Sequence, residues 1–111
     1  GRHLGLKRVF IKDDGRNPSA SFKDRASAVA LVRALESGAR IVTGASTGNA
    51  GCSMACLAAS VGMPAVIIVP ETAPQAKIAQ LLIFGAHVVA VRGSYDQAFD
   101  LCLEVTREFG W

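Results

Sequence analysis

The sequence is poor in several of the residues that usually announce a function. Aromatic residues make up only 6% of its 111 positions, with one Trp and one Tyr. The basic residues, Arg2, Lys7, Arg8, Lys12, Arg16, Lys23, Arg25, Arg33 and Arg40 among them, are scattered without a dense run, and the formal net charge is only +3. Without interleaved basic and aromatic residues the chain lacks the footprint of a nucleic-acid binder, and a mixed solvated surface is the better reading. Cysteine is scarce and odd in number: Cys52, Cys56 and Cys102 have no nearby His at metal-ligand spacing. Cys52 and Cys56 stand one helical turn apart among Ser53, Met54, Ala55, Leu57 and Ala58, where cysteine serves as small core filler. Long apolar runs are missing too, because Gly62, Pro64 and Pro70 interrupt them well short of a membrane span. No charged-then-apolar leader precedes a small-residue cleavage site, so the expected compartment is the cytoplasm.

What the chain does have is a core and an alternating pattern. Half of its residues are hydrophobic and 19% are charged, which suits one small packed domain or part of a larger one. Val9-Phe10-Ile11, closed by Asp13-Asp14-Gly15, predicts a first strand and turn. Asp24 to Ser37, followed by Gly38, predicts a helix. Ile41-Val42-Thr43 predicts a strand feeding a glycine-rich loop, and Ala50 to Val61 a helix of very small residues. Ala65 to Val69 lies between Pro64 and Pro70 as an uninterrupted apolar strand, the pattern of a strand buried on both faces. Pro74 opens a helix over Gln75 to Phe84 at a position where its missing N–H costs nothing, and Gly85 stops it. His87 to Val91 predicts a further buried strand, and Ser94 caps a last helix through Tyr95, Phe99, Leu103 and Phe109. Strand-helix alternation of this kind predicts an α/β fold with a parallel sheet flanked by helices and right-handed crossovers. The chain starts almost on a strand and stops at Gly110-Trp111, where another strand would follow, so both ends are expected to cut through a larger fold.

Two motifs carry chemistry. The first is Asn17-Pro18-Ser19-Ala20-Ser21-Phe22-Lys23-Asp24-Arg25, which sets a lysine at a turn-to-helix junction. Lysines are usually solvated surface groups, but here a turn-forming Asn-Pro, two small serines and an anchoring Phe22 frame the amine. A fixed, partly desolvated amine can act as a nucleophile toward a carbonyl. The second is Ser46-Thr47-Gly48-Asn49-Ala50-Gly51, small residues between a strand and a helix, where backbone N–H groups can hold a carboxylate or phosphate. Asn49, polar at the start of an almost wholly apolar helix, is either a cap or points at a ligand. Together the motifs suggest an enzyme acting on amino acids through an aldehyde cofactor. A dinucleotide-binding dehydrogenase is the rival reading: Glu71 follows the next strand at about the distance of a ribose-binding acid. Against it, Ala50 stands where the last glycine of that turn belongs, and Phe99 stands four residues after Tyr95 where a catalytic Lys would be. A loop that merely packs against its sheet, or a non-catalytic domain binding small acids, is the third possibility.

The combination Asn-Pro-x-x-Ser-Phe-Lys-Asp-Arg with Ser-Thr-Gly-Asn-x-Gly closely resembles the fold-type II pyridoxal-phosphate enzymes, the threonine synthase branch in particular. The resemblance runs through Pro70-Glu71-Thr72-Ala73-Pro74, Lys77-Ile78-Ala79-Gln80 and Gly85-Ala86-His87-Val88-Val89. Cysteine synthases usually carry Val where Phe22 stands, and threonine dehydratases usually lack the Asp-Arg pair. The resemblance implies that Lys23 forms the imine with pyridoxal phosphate, that Asn49 hydrogen-bonds the cofactor's ring hydroxyl, and that Phe22 packs near the ring. It also implies that Ser46, Thr47, Gly48 and Asn49 cradle the substrate carboxylate, with Asp24 and Arg25 fixing the helix start. By the same resemblance, Gly1 to Gly38 would be an incomplete lysine-bearing part of a large domain and Ala39 to Trp111 most of a small mobile one. The implied reaction takes O-phosphohomoserine and water to L-threonine and phosphate, in a homodimeric parent enzyme with no metal, membrane or nucleic-acid partner. The family's later loop for the cofactor phosphate and the hydroxyl facing its pyridine nitrogen would lie beyond Trp111, so this chain alone is expected to be inactive and not to retain the cofactor.

Overall fold

A computed structural model describes residues 2–111 as a layered α/β unit preceded by an irregular segment. In chain order the elements are α1 (Asp24–Glu36), β1 (Val42–Ala45), α2 (Asn49–Ser60), β2 (Ala65–Pro70), α3 (Gln75–Ile83), β3 (His87–Val91) and α4 (Tyr95–Phe109). The strands are parallel in the order β1-β2-β3, with Val42 opposite Ala65 and Ala45 opposite Ile68 in one pair, and Val66 opposite His87 and Pro70 opposite Val91 in the other. Strands that advance one step at a time through right-handed crossovers put their connecting helices on one face. Accordingly α2 and α3 lie on one side of the sheet, with α1 against α2, while α4 crosses the other side over β1 and β2.

The centre of gravity is β2, whose six residues are all buried. Its alternation divides the core. Ala65, Ile67 and Val69 join Leu31 of α1, Cys52, Ala55 and Ala58 of α2 and Leu81 of α3, whereas Ile68 packs with Ala98 and Cys102 of α4. Each fully buried aliphatic side chain of this kind contributes about 1.5–3 kcal/mol. The small residues of α2 let it approach both the sheet and α1 closely. The three thiols are free, two of them in these cores.

Helix ends follow local chemistry. Ser94 and Gln97 form a reciprocal capping box at the start of α4, the Ser94 hydroxyl accepting from the Gln97 amide at 3.2 Å and the Gln97 side chain from the Ser94 amide at 2.8 Å. Gly110, at φ 67°, ends that helix in the left-handed region. Pro74 stands just outside α3 rather than in its first turn.

Two expectations from the sequence are corrected. Val9-Phe10-Ile11 is not a strand; Phe10 and Ile11 are 91% and 85% exposed, because no strand of the sheet lies beside them. His87–Val91 is a strand but not a buried one: it is the edge of the sheet, packed by α3 on one face, with Val91 reaching the α4 cluster on the other while α4 mainly covers its neighbours. Among the described residues no helix is long and apolar enough to cross a membrane.

Candidate functional site

Lys23 sits at the N-cap of α1, already in right-handed helical geometry, with its side chain exposed. Its position is set by hydrogen bonds of the residues before it. The Lys23 amide donates to the Ser21 hydroxyl at 3.1 Å, and the Asn17 carboxamide donates to the Ser21 carbonyl at 3.0 Å. Ala20 takes φ 55°, a left-handed turn costly for a residue with a Cβ and held by the surrounding bonds. Asp24, buried under the turn, accepts from the Ser19 amide at 2.8 Å and from the Ser19 hydroxyl. Burial pushes the Asp24 carboxyl up, but the hydroxyls of Ser19 and Ser53 and the Ser19 amide outweigh it and hold the group below its ordinary value. Arg25 donates to Asp14 at 3.1 Å and lies over the ring of Phe22, 5.8 Å from its centroid. Asp24 and Arg25 thus serve the helix start, and Phe22 remains largely exposed beside the lysine.

The second half of the site is the turn from β1 into α2. Asn49 is the first helical residue and not the cap; the cap is Gly48, which has no side chain to offer. Ser46 takes over that role, its hydroxyl accepting from the Gly51 amide at 3.0 Å and the Gly48 amide at 3.3 Å. Among the described residues the amides of Thr47, Asn49 and Ala50 have no protein acceptor. They stand at the positive end of α2, where an anion is favoured. A Cβ on Gly51 would lie 3.1 Å from the Ser46 Cβ and 3.2 Å from Ile67, so this glycine lets the loop close onto the sheet. A Cβ on Gly48 would meet nothing within 4 Å, which leaves the mouth of the loop open for a ligand.

The two halves are joined through a buried contact. Ser53, one turn into α2 from Asn49, donates to Ser27, one turn into α1 from Lys23, at 2.8 Å. Both N-termini therefore stand about 6 Å of helix from a shared hydrogen bond. The donors suit a cofactor with one aldehyde and one oxygen on an aromatic ring: an exposed amine for the first, the Asn49 carboxamide for the second.

Sequence reasoning missed Lys77 and the Ser27–Ser53 pair. Lys77, in the first turn of α3, donates to Asn49 Oδ1 at 2.7 Å and to Gln80 Oε1 at 3.2 Å. The available signal was its position, since a cation in a first helical turn opposes the macrodipole and needs a reason to be there. The features of the dehydrogenase reading serve elsewhere: Glu71 lies 3.9 Å from Arg92, and Tyr95 donates to the Ala45 carbonyl at 3.2 Å.

Comparison with known proteins agrees with this geometry. The threonine synthase of Methanocaldococcus jannaschii is 38% identical over 108 residues, covering 96% of this chain, and that of Methanosarcina acetivorans is 40% identical over 99 residues, covering 88%. The chain spans about a quarter of the length of these relatives, 27% and 24% respectively. The processed form of threonine deaminase isoform 2 from Solanum lycopersicum superposes with a TM-score of 0.83 at 28% identity, over 98% of this chain and 30% of that one. The family model described as pyridoxal-phosphate dependent enzyme matches residues 1–111. By sequence and by fold, the chain belongs to the pyridoxal-phosphate dependent enzymes.

Proposed function

We propose that this chain is the lysine-bearing and carboxylate-binding part of a pyridoxal-phosphate lyase of the threonine synthase type, which converts O-phosphohomoserine and water to L-threonine and phosphate. The observation that carries the reading is the tie between Ser27 and Ser53, which couples the helix led by Lys23 to the helix led by the open amides of Thr47, Asn49 and Ala50. Similarity to enzymes named threonine synthase at 33–40% identity supports the choice within the family over a threonine dehydratase or a cysteine synthase.

When bound, pyridoxal phosphate supplies an aldehyde that condenses with an amine and a protonated ring that withdraws electrons from the attached carbon. This chain's residues would do the rest. Lys23 offers the amine and then a base able to carry a proton to and from the carbons beside it. The amides of Thr47, Asn49 and Ala50 would bind the substrate carboxylate and hold the substrate in one orientation. Asn49 would hold the ring oxygen through its carboxamide NH2, and Phe22 would pack near the ring. The division at Gly38, closure of the later residues over substrate, a homodimeric parent and a cytoplasmic location belong to the same proposal.

Borohydride reduction of the complete cofactor-loaded enzyme, followed by peptide mapping, tests it. A reduced pyridoxyl adduct on Lys23 and phosphate release from O-phosphohomoserine are expected; an adduct on another lysine sinks the assignment. Release of ammonia from threonine, with none of phosphate, would shift the reading to a dehydratase. The 111 residues contain no second glycine-rich loop like that after β1. The chain by itself is therefore expected to show no tight, lysine-linked visible band on titration with the cofactor.

A further inference from the structure

We infer that Lys77 is a positioning residue that sets the orientation of the Asn49 carboxamide, turning its NH2 group toward the cofactor; the inference rests on the family reading above. An ammonium has donors only, so the end of the carboxamide that faces Lys77 at 2.7 Å must be the carbonyl oxygen. The other end, with its two N–H donors, is then directed away from α3. Nothing else among the described residues holds the Asn49 side chain. Without Lys77 the carboxamide is free to turn over and present an acceptor where the ring oxygen needs a donor.

Lys77 is itself well held for this task. Gln80, one turn further along α3, accepts a second hydrogen bond from the ammonium at 3.2 Å, and the Lys77 carbonyl faces the Cys52 thiol of α2 at 4.0 Å. The half-buried side chain has no carboxylate within ion-pair distance among the described residues. It therefore leaves its positive charge uncompensated beside the N-terminus of α2 while standing in the first turn of α3. Two helix dipoles and a cation of one sign repel unless something negative completes the group. A surface bridge formed for stability alone would pair the ammonium with an acid; this one is spent on a neutral amide that points at the site. An oriented donor also favours the charged form of the oxygen it meets. Lys77 thus acts on the cofactor through Asn49, without touching it.

The test uses the complete enzyme carrying this chain, with the variants Lys77→Met and Lys77→Arg. Pyridoxal phosphate is titrated into each apoenzyme while the visible band is followed, and the pH midpoint of that band is then measured. Lys77→Met is expected to weaken cofactor affinity about 3- to 10-fold, the scale of one lost charge-assisted hydrogen bond, and to raise the pH midpoint because the ring oxygen loses its aimed donor. Lys77→Arg, which keeps a donor at this place, is expected to recover most of both. Unchanged affinity and midpoint in Lys77→Met overturn the inference while leaving the family reading intact. So does a loss confined to apoenzyme thermal stability, which marks a structural bridge only. Absence of a visible band in the unsubstituted enzyme overturns the family reading and the inference together.

Discussion

The Ser53 hydroxyl, wholly buried, donates to the Ser27 hydroxyl at 2.8 Å and so bridges α2 and α1 at equal distance, one helical turn, from Asn49 and Lys23. The bond also lies beside the Asp24 carboxylate, which Ser53 stabilises in its charged form. The two serines and the Asp24 carboxylate form a buried polar cluster where α1 meets α2. Ser53→Ala is expected to cost about 1–2 kcal/mol of stability, and Ser27→Ala less, because the Ser53 hydroxyl, released from Ser27, can turn to the Asp24 carboxylate. The double variant measured by urea unfolding should show a coupling of about 1 kcal/mol. Strict additivity of the two single losses would mean the hydroxyls do not interact.

Asp24 and Asp14 are expected to shape the acid limb of stability. Its carboxyl, like that of Asp14, is held below the ordinary 3.8: for both, desolvation pulls upward and is outweighed, by serine donors at Asp24 and by Arg25, Lys12 and Asn17 at Asp14. A depressed folded-state pKa contributes stability that is complete above the unfolded value and is lost as pH falls through the folded one. Unfolding midpoints should therefore be flat from neutral pH to about 5 and decline below about 4. Asp24→Asn should lower stability at pH 7 by about 1–3 kcal/mol and flatten the decline. An unaltered pH slope in that variant would assign the acid sensitivity elsewhere.

The sheet and its helices were legible because each signal was local. Pro64 precedes β2 and Pro70 ends it, Gly38, Gly85 and Gly110 punctuate helices, and Ser94 caps the last helix. The lysine and the glycine loop were legible as motifs for the same reason. What could not be read is what depends on partners distant in sequence. β3 is nearly as apolar as β2, and its place at the edge of the sheet, largely beyond the cover of α4, leaves it the more exposed of the two. Asn49 could be read as a cap or as a ligand-facing residue, and nothing local reveals Lys77, 28 residues away, as its partner. Ser46 replaces it as the cap through a bond to Gly51 that the small-residue pattern does not distinguish from its alternatives.

The segment Val9-Phe10-Ile11 gives the plainest case of composition without context. Its side chains are apolar and β-prone, yet Phe10 and Ile11 touch little of the folded unit. Replacing either by Ala in this chain should change stability by no more than about 0.5 kcal/mol, against the 2–5 kcal/mol expected for Leu81→Ala in the core. The amides of residues 9–11 should exchange with solvent at rates near those of an unstructured peptide. Strong protection in a monomer would show that a strand forms there after all.

Gly51 and Gly48, three residues apart, separate folding from binding. A methyl group on Gly51 would press on the Ser46 Cβ, the Ser46 carbonyl oxygen and the buried Ile67, all at 3.1–3.2 Å, and two of these belong to the turn itself. Alanine favours a helix by about 1 kcal/mol over glycine, but overpacking of this kind costs about 1–3 kcal/mol. Gly51→Ala should therefore destabilise the chain by about 1 kcal/mol, the clash exceeding the helical gain. At Gly48 the added methyl meets no protein atom, and the backbone, at φ −145°, is one that any residue adopts. Gly48→Ala should leave the unfolding midpoint nearly unchanged and, on the proposed function, weaken binding of a carboxylate substrate to the complete enzyme about 10-fold, since the added methyl would fill the open mouth of the turn. The pair is decided by measuring both variants in both assays. If Gly48→Ala lost stability and kept its affinity, the open space at the turn would be packing slack and not a ligand site.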